Sequence, residues 1–347
     1  SQPVVFLTGA GASKWLGKAT TFDIYDSPEF DRRARQRPFS ILKALRESML
    51  EANAAKPIDF ERLLDEVRQL NCMYDRLTTA PEYEPMTRSG SDARRFYEDA
   101  YEEALDFIVD YYGSVDSEKS AALYGPLFLC IQRIFERYPG KRLIPLFTLN
   151  YDEAIESAAD QLPDFNLVDG FRVGYRPTWT PDVFEQVPSQ LESDPVPVML
   201  FKLHGSASWT RATGSDRIER TIDVPRRREG KDHVVLYPTT AKKAIAIEPF
   251  ATAYRYFREA LKAAQLGVFI GTSFRDAEIN EAIRERVGRG KQFYILAVGP
   301  HADSSDIASR IGIPKKNVLT ENLAFEPDSV DSLIERASDC LMLARGG

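Results

Sequence analysis

Short apolar, β-rich runs recur along this chain, and each stops at a turn of small or polar residues. Val4-Val5-Phe6-Leu7 stops at Thr8, and Gly9-Ala10-Gly11-Ala12-Ser13 follows. A second run ends in Thr148-Leu149-Asn150-Tyr151-Asp152. A third, Val198-Met199-Leu200-Phe201, ends in Lys202-Leu203-His204-Gly205-Ser206. A fourth ends in Ile270-Gly271-Thr272-Ser273-Phe274-Arg275-Asp276. Strands that are apolar throughout are buried on both faces, as in parallel sheets covered by crossover helices. The expected class is therefore α/β, a Rossmann-like parallel sheet with helices on both faces. In such sheets ligands bind outside the C-terminal strand ends, where all four motifs fall.

Between the first two runs the periodicity turns helical. Apolar residues keep a helical spacing at Ile41, Leu42, Leu45 and Met49, and again at Phe60, Leu63, Leu64 and Val67 after an N-cap at Asp59. Further helices are expected over about 91–112 and 119–137, stopped by Gly113 and by Pro139-Gly140. The region reads as a large helical insertion. Residues 1–30 and 140–347 then form the nucleotide-binding domain and 31–139 the insertion. Strands are expected at 143–149, 196–203, 233–237, 266–270 and 292–298, and helices at 152–160, after Pro249, at 276–287 and at 328–343. The Pro- and aromatic-rich stretch 171–197 reads as an ordered loop. Residues 211–231 read as a polar loop carrying Pro225-Arg226-Arg227-Arg228.

With 43% hydrophobic and 28% charged residues the 347-residue chain can build a sizeable core. A net charge of −7 gives no global support for a nucleic-acid or membrane partner. The chain enters a strand at once, without an n-region or cleavage site, so a cytoplasmic protein is expected. Cys72, Cys130 and Cys340 stand far apart, which leaves no pair for a structural zinc site and suits a reducing compartment.

Glycines directly after a strand let backbone N–H groups approach a pyrophosphate at a helix N-terminus. The dinucleotide fingerprint G-x-G-x-x-G is not completed, because its third position is Lys14. A tight strand-to-helix turn would use the same glycines. Asn150 can orient a water, and Asp152 can contact a ligand or cap the next helix. His204 has a glycine behind it, so the chain can turn and leave the imidazole at the crevice. There it can take a proton from water or a ribose hydroxyl, or serve structurally. Gly271, Thr272 and Ser273 form a second anion-binding turn before the helix that starts near Asp276.

Four such motifs in this order resemble the sirtuin superfamily, and most of all the zinc-free sirtuin-like proteins of bacteria. The resemblance covers residues 1–18, 143–153, 198–206 and 268–281. It implies a chain that cleaves NAD, its substrate, to nicotinamide and ADP-ribose without zinc, as an effector of antiviral defence. It also implies that Asn150 orients water, His204 acts as general base and Asp152 contacts the carboxamide side. Gly9, Ala10, Gly11, Ser13, Thr148, Gly271, Thr272, Ser273 and Asp276 would hold the dinucleotide. Sirtuins carry a zinc module with two Cys pairs, which this chain cannot form. Of their segment after the glycine loop only Phe22 and Asp23 match, with no Arg behind them. A zinc-free deacylase, an ADP-ribosyltransferase and a non-catalytic nucleotide-binding or assembly module remain the alternatives. The aromatic stripes of the insertion leave apolar surface for a homo-oligomer, with a partner ATPase, helicase or other defence protein as a further expectation.

Overall fold

The computed structural model describes residues 3–21, 23–36, 39–52, 58–79, 87–136, 144–187, 195–212, 214–221, 231–236, 245–290 and 292–346. Phe22, residues 137–143 and 188–194, Tyr237 and the Pro225-Arg226-Arg227-Arg228 run, all used above, lie outside them. The chain divides into two compact units, residues 1–18 with 112–347 and residues 19–111.

The smaller unit is helical. It contains α1 (Pro28–Arg33), α2 (Ser40–Ala52), α3 (Phe60–Thr79) and most of α4 (Thr87–Gly113). Ser27 caps α1 by accepting from the Phe30 amide, and Asp59 caps α3 by accepting from the Arg62 amide at 2.8 Å. The helices are held by an aromatic core in which Phe107 meets Phe30, Phe39 and Phe60 at 5.3–6.0 Å. Edge-on geometry suits the quadrupoles of such rings.

The larger unit is built on a seven-stranded parallel sheet. Its elements are β1 (Val4–Thr8), α5 (Ser117–Glu136), β2 (Ile144–Thr148), α6 (Ala154–Gln161), β3 (Phe165–Val168), β4 (Phe171–Arg172), β5 (Thr178–Trp179), β6 (Val196–Lys202), β7 (Gly205–Ala212), β8 (Ile218–Arg220), β9 (Lys231–Val235), α7 (Phe250–Ala263), β10 (Leu266–Ile270), α8 (Ala277–Gly288), β11 (Tyr294–Val298), α9 (Ser304–Ile311), β12 (Val318–Glu321) and α10 (Val330–Gly346). The parallel sheet has the order β12-β11-β10-β1-β2-β6-β3. Side chains alternate faces along each strand. Val4 and Phe6 join Leu146, Val198 and Val268 in a core covered by α5, α6 and α10. Val5 and Leu7 join Phe147, Phe201 and Phe269 on the other face, under α7, α8 and α9. This is the expected α/β class, buried on both faces.

The strands β4-β5-β8-β7-β9 form a second, antiparallel sheet. Its Phe171, Trp209, Ile218 and Val234 share the core of Phe201 and Met199. The stretches 171–197 and 211–231 were expected as loops and instead supply β4, β5 and β8. Two- and three-residue strands are too short to reveal an alternation. Among the described residues no helix is long and apolar enough to cross a membrane.

Candidate functional site

Strand β1 lies in the middle of the sheet. The next strands, β2, β6 and β3, are added on one side, and β10, β11 and β12 on the other. The topological switch therefore falls between β1 and β10, where α/β folds open a ligand crevice at the carboxyl ends. Thr8 and Ile270 are in register there, and each is followed by a glycine turn.

The two turns close on each other. The Gly9 amide donates to the Ile270 carbonyl at 2.8 Å and the Gly11 amide to the Gly271 carbonyl at 2.9 Å. A Cβ on Gly11 would stand 2.8 Å from the Gly271 Cα. Gly271 has φ +64°, and a Cβ there would stand 2.2 Å from the Ala12 nitrogen. These glycines are required first for backbone against backbone. The expected helix N-terminus is only a single 3₁₀ turn, Ala10–Ser13, so its dipole is small. Ala10, Thr272 and Ser273 lie at the rim, with Ser273 exposed.

Beside β1, the end of β2 is fixed by threonines. The Thr8 hydroxyl donates to the Thr148 hydroxyl at 2.8 Å, and the Asn150 amide donates to Thr148 Oγ1 at 3.1 Å. Thr148 is thus a buried strut under the site. The Asn150 side chain then turns toward the glycine loop. Its Nδ2 donates to Ser13 Oγ at 2.9 Å, and Ser13 Oγ donates to Asp152 Oδ2 at 2.7 Å. Asp152 Oδ1 accepts from the Ala154 amide at 3.1 Å, at the start of α6. A carboxylate accepts only, so the chain of bonds has one direction. It fixes the Asn150 amide with the nitrogen on Ser13 and the carbonyl oxygen as its remaining acceptor.

Strand β6 is the next neighbour, with Lys202 in register with Thr148. Lys202 is buried, and its Nζ bonds the Asp152 carbonyl and Glu156 Oε1, the latter at 2.8 Å. His204 follows, 5% exposed, with Nε2 2.7 Å from Asp276 Oδ2. Asp276 Oδ1 accepts from the Glu278 and Ile279 amides at 2.8 and 3.0 Å, capping α8. Burial raises the Asp276 carboxyl, but His204 and the two amides outweigh it and hold the group below its ordinary range. The backbone of His204 is fixed too, because its carbonyl accepts from the Leu236 amide at 2.8 Å. Gly205 has φ +82° and lies so close to β9 that a Cβ would stand 2.2 Å from the Val234 carbonyl oxygen.

Burial lowers the Lys18 ammonium from its ordinary value, and Asp152 opposes that shift. Behind the site, burial and then the Glu156 charge push the Glu153 carboxyl up to about 7, against Ser208, Lys202 and Arg220. Among the described residues no group of three or more His, Cys, Asp or Glu side chains is arranged for a metal ion.

The structure thus joins Ser13, Asn150 and Asp152 into one bonded group and His204 with Asp276 into another. Gly9, Gly11 and Gly271 form the wall between β1 and β10. Lys18 and Lys202 were not singled out from the sequence. A lysine inside the apolar run of β6 was the available signal for Lys202, since a buried ammonium needs partners.

Residues 145–313 match the family model of the SIR2-like domain. No curated protein matches the chain. Among solved structures, a triple mutant of Sir2 homologues bound to 2'-O-acetyl ADP ribose aligns at 14% identity, over 98% of this chain and 94% of its own, with a TM-score of 0.45. A Sir2 homologue–NAD complex aligns at 13% identity over 97% and 90%, with a TM-score of 0.44. A single-site mutant of a Sir2 homologue with ADP ribose aligns at 13% identity over 98% and 93%, with a TM-score of 0.45.

Proposed function

We propose that this protein hydrolyses NAD to nicotinamide and ADP-ribose. The observation that carries the reading is the pairing of two polar groups on neighbouring strand ends. An amide oriented to accept a hydrogen bond, Asn150, follows β2, and an imidazole backed by a carboxylate, His204, follows β6. The match of residues 145–313 to the SIR2-like domain supports NAD as the ligand.

In this reaction the bond between ribose C1′ and the nicotinamide nitrogen breaks. Its electron pair returns to the pyridinium ring, which leaves neutral. Water adds to the oxocarbenium-like C1′ and gives its proton to His204. The Asn150 carbonyl oxygen accepts a hydrogen bond from that water and fixes its approach. Asp152 contacts the carboxamide through the lone pairs that Ser13 and the Ala154 amide leave over. The glycine turns take the pyrophosphate at the switch point. The resemblance of the four motifs supports an enzyme of antiviral defence, and the three far-apart Cys support one that needs no zinc and acts in the reducing cytoplasm. The aromatic stripes of the insertion support a homo-oligomer, and the harm of unchecked NAD loss supports control by assembly or by a partner defence protein.

The test is incubation of the whole chain with NAD alone. Nicotinamide and ADP-ribose are expected in equal amounts, before and after chelation. Release that requires an acyl-peptide, ADP-ribose transferred to protein, or NAD binding without release would each overturn the hydrolase reading. Activity lost on chelation and restored by zinc would overturn its zinc-free part.

A further inference from the structure

The 2.7 Å contact between His204 Nε2 and Asp276 Oδ2 joins two residues 72 positions apart, in the segments that follow β6 and β10, strands separated in the sheet by β1 and β2. We propose that Asp276 is a positioning residue that holds His204 as the Nε2–H tautomer, leaving Nδ1 as the nitrogen that takes the proton in NAD cleavage. The role in turnover rests on the hydrolase reading, whereas the tautomer does not.

Three donors converge on the Asp276 carboxylate, the Glu278 and Ile279 amides on Oδ1 and the imidazole on Oδ2. A carboxylate so surrounded is ionised, as its lowered pKa also indicates. An ionised carboxylate only accepts, so the proton between the two residues sits on Nε2. A neutral imidazole has one N–H, so Nδ1 carries the lone pair. The opposite tautomer would set two lone pairs against each other across 2.7 Å.

The turn that delivers Asp276 is stiff. Phe274 has φ +52°, which L residues other than Asn and Asp seldom adopt. The Asn280 side chain donates to the Phe274 carbonyl at 2.9 Å, and the Phe274 ring packs on Phe269 at 5.3 Å. A strained residue held this firmly fits a turn that must present one side chain in one place. Both Oδ1 lone pairs of Asp276 go to the amides that start α8, and Oδ2 holds the imidazole.

The first measurement uses the unmodified protein, labelled with ¹⁵N-histidine. Imidazole nitrogen shifts distinguish the two neutral tautomers. The chain has three His, and the signal lost in His204→Asn identifies His204. The expected signature is Nε2–H, and an Nδ1–H signature would overturn the proposal without any activity assay. The second measurement is Asp276→Asn. Asparagine caps helices as well as aspartate does, so α8 and the melting temperature should be kept. Its amide N–H₂ facing Nε2 moves the imidazole proton to Nδ1. The expected result is an Nδ1–H signature and a kcat lower by about 10²–10⁴-fold, with KM for NAD nearly unchanged. A native kcat in this variant would overturn the role. An Nε2–H signature in a protein that releases no nicotinamide would overturn the reaction, and the role with it, while the His204–Asp276 pair itself stands.

Discussion

Replacing Ser13 by alanine tests the bonded group at the glycine loop. Ser13 is 1% exposed, and its single hydroxyl serves two buried partners, accepting from Asn150 Nδ2 at 2.9 Å and donating to Asp152 Oδ2 at 2.7 Å. The bond to a carboxylate is worth about 1.5–3 kcal/mol and the neutral one about 0.5–1.5 kcal/mol. Ser13→Ala should therefore cost about 2–4 kcal/mol, because both partners stay buried without a replacement. In thermal unfolding this is a fall of roughly 5–10 °C for a unit of this size. The catalytic effect is separate. Without Ser13 the bond that holds the Asn150 amide in one orientation is lost, and a flipped amide presents N–H₂ to the water. The kcat for nicotinamide release should drop on the order of 10- to 100-fold. A double-mutant cycle with Asp152→Ala should give a coupling of about 0.5–3 kcal/mol. Additive single effects together with a melting temperature within 1–2 °C of native, again about the limit set by such shifts, would refute the bonded-group argument.

His204→Ala should lower kcat by about 10²–10⁴-fold while NAD still binds, read by single-turnover kinetics and calorimetry. Near-native turnover would make His204 structural. Gly271→Ala should destabilise strongly, because the new Cβ would stand 2.2 Å from the Ala12 nitrogen at φ +64°; an unchanged denaturation midpoint would contradict the closed glycine turns. Glu153 has a folded pKa raised from 4.5 to about 7, so its charge costs stability that is absent below about pH 4.5 and fully present above about pH 7. Glu153→Gln should thus gain on the order of 1–3 kcal/mol at pH 8 and nothing at pH 4, and equal denaturant midpoints for both proteins at pH 8 would contradict it.

The buried strands were readable because a parallel sheet demands unbroken apolar runs, as in Val4-Val5-Phe6-Leu7 and Leu266–Ile270. Asn150, Asp152 and His204 stood out because polar residues at the ends of such runs need a reason. Of the second sheet only β9 was readable, since β4, β5 and β8 hold two, two and three residues and are made by pairing rather than propensity. The glycines were read as room for a ligand, yet the close approach at Gly11 is to the Gly271 backbone. No local pattern announces that contact. The same holds for Asp276, visible as the N-cap of α8 but not as the partner of His204, because the segments after β6 and β10 meet across two intervening strands.

Strand β1 is the middle of the sheet, and both its partners arrive late. Thr8 pairs with Thr148 on one side and with Ile270 on the other. During synthesis Val4–Thr8 therefore stays an unpaired apolar segment with two open edges until β2 emerges, and with one open edge until β10 does. At 5–20 residues per second that interval is roughly 10–50 s. Contacts this distant along the chain slow folding, because loop closure must precede any reward. The switch point at which the glycine turns meet is accordingly assembled only after β2, β3 and β6 have emerged. A ribosome-bound chain that ends before Leu266 has Asn150 and His204 but neither the Gly271 wall nor Asp276. On the proposed NAD-cleaving reading, a nascent chain of that length is expected to release no nicotinamide until β10 has joined β1.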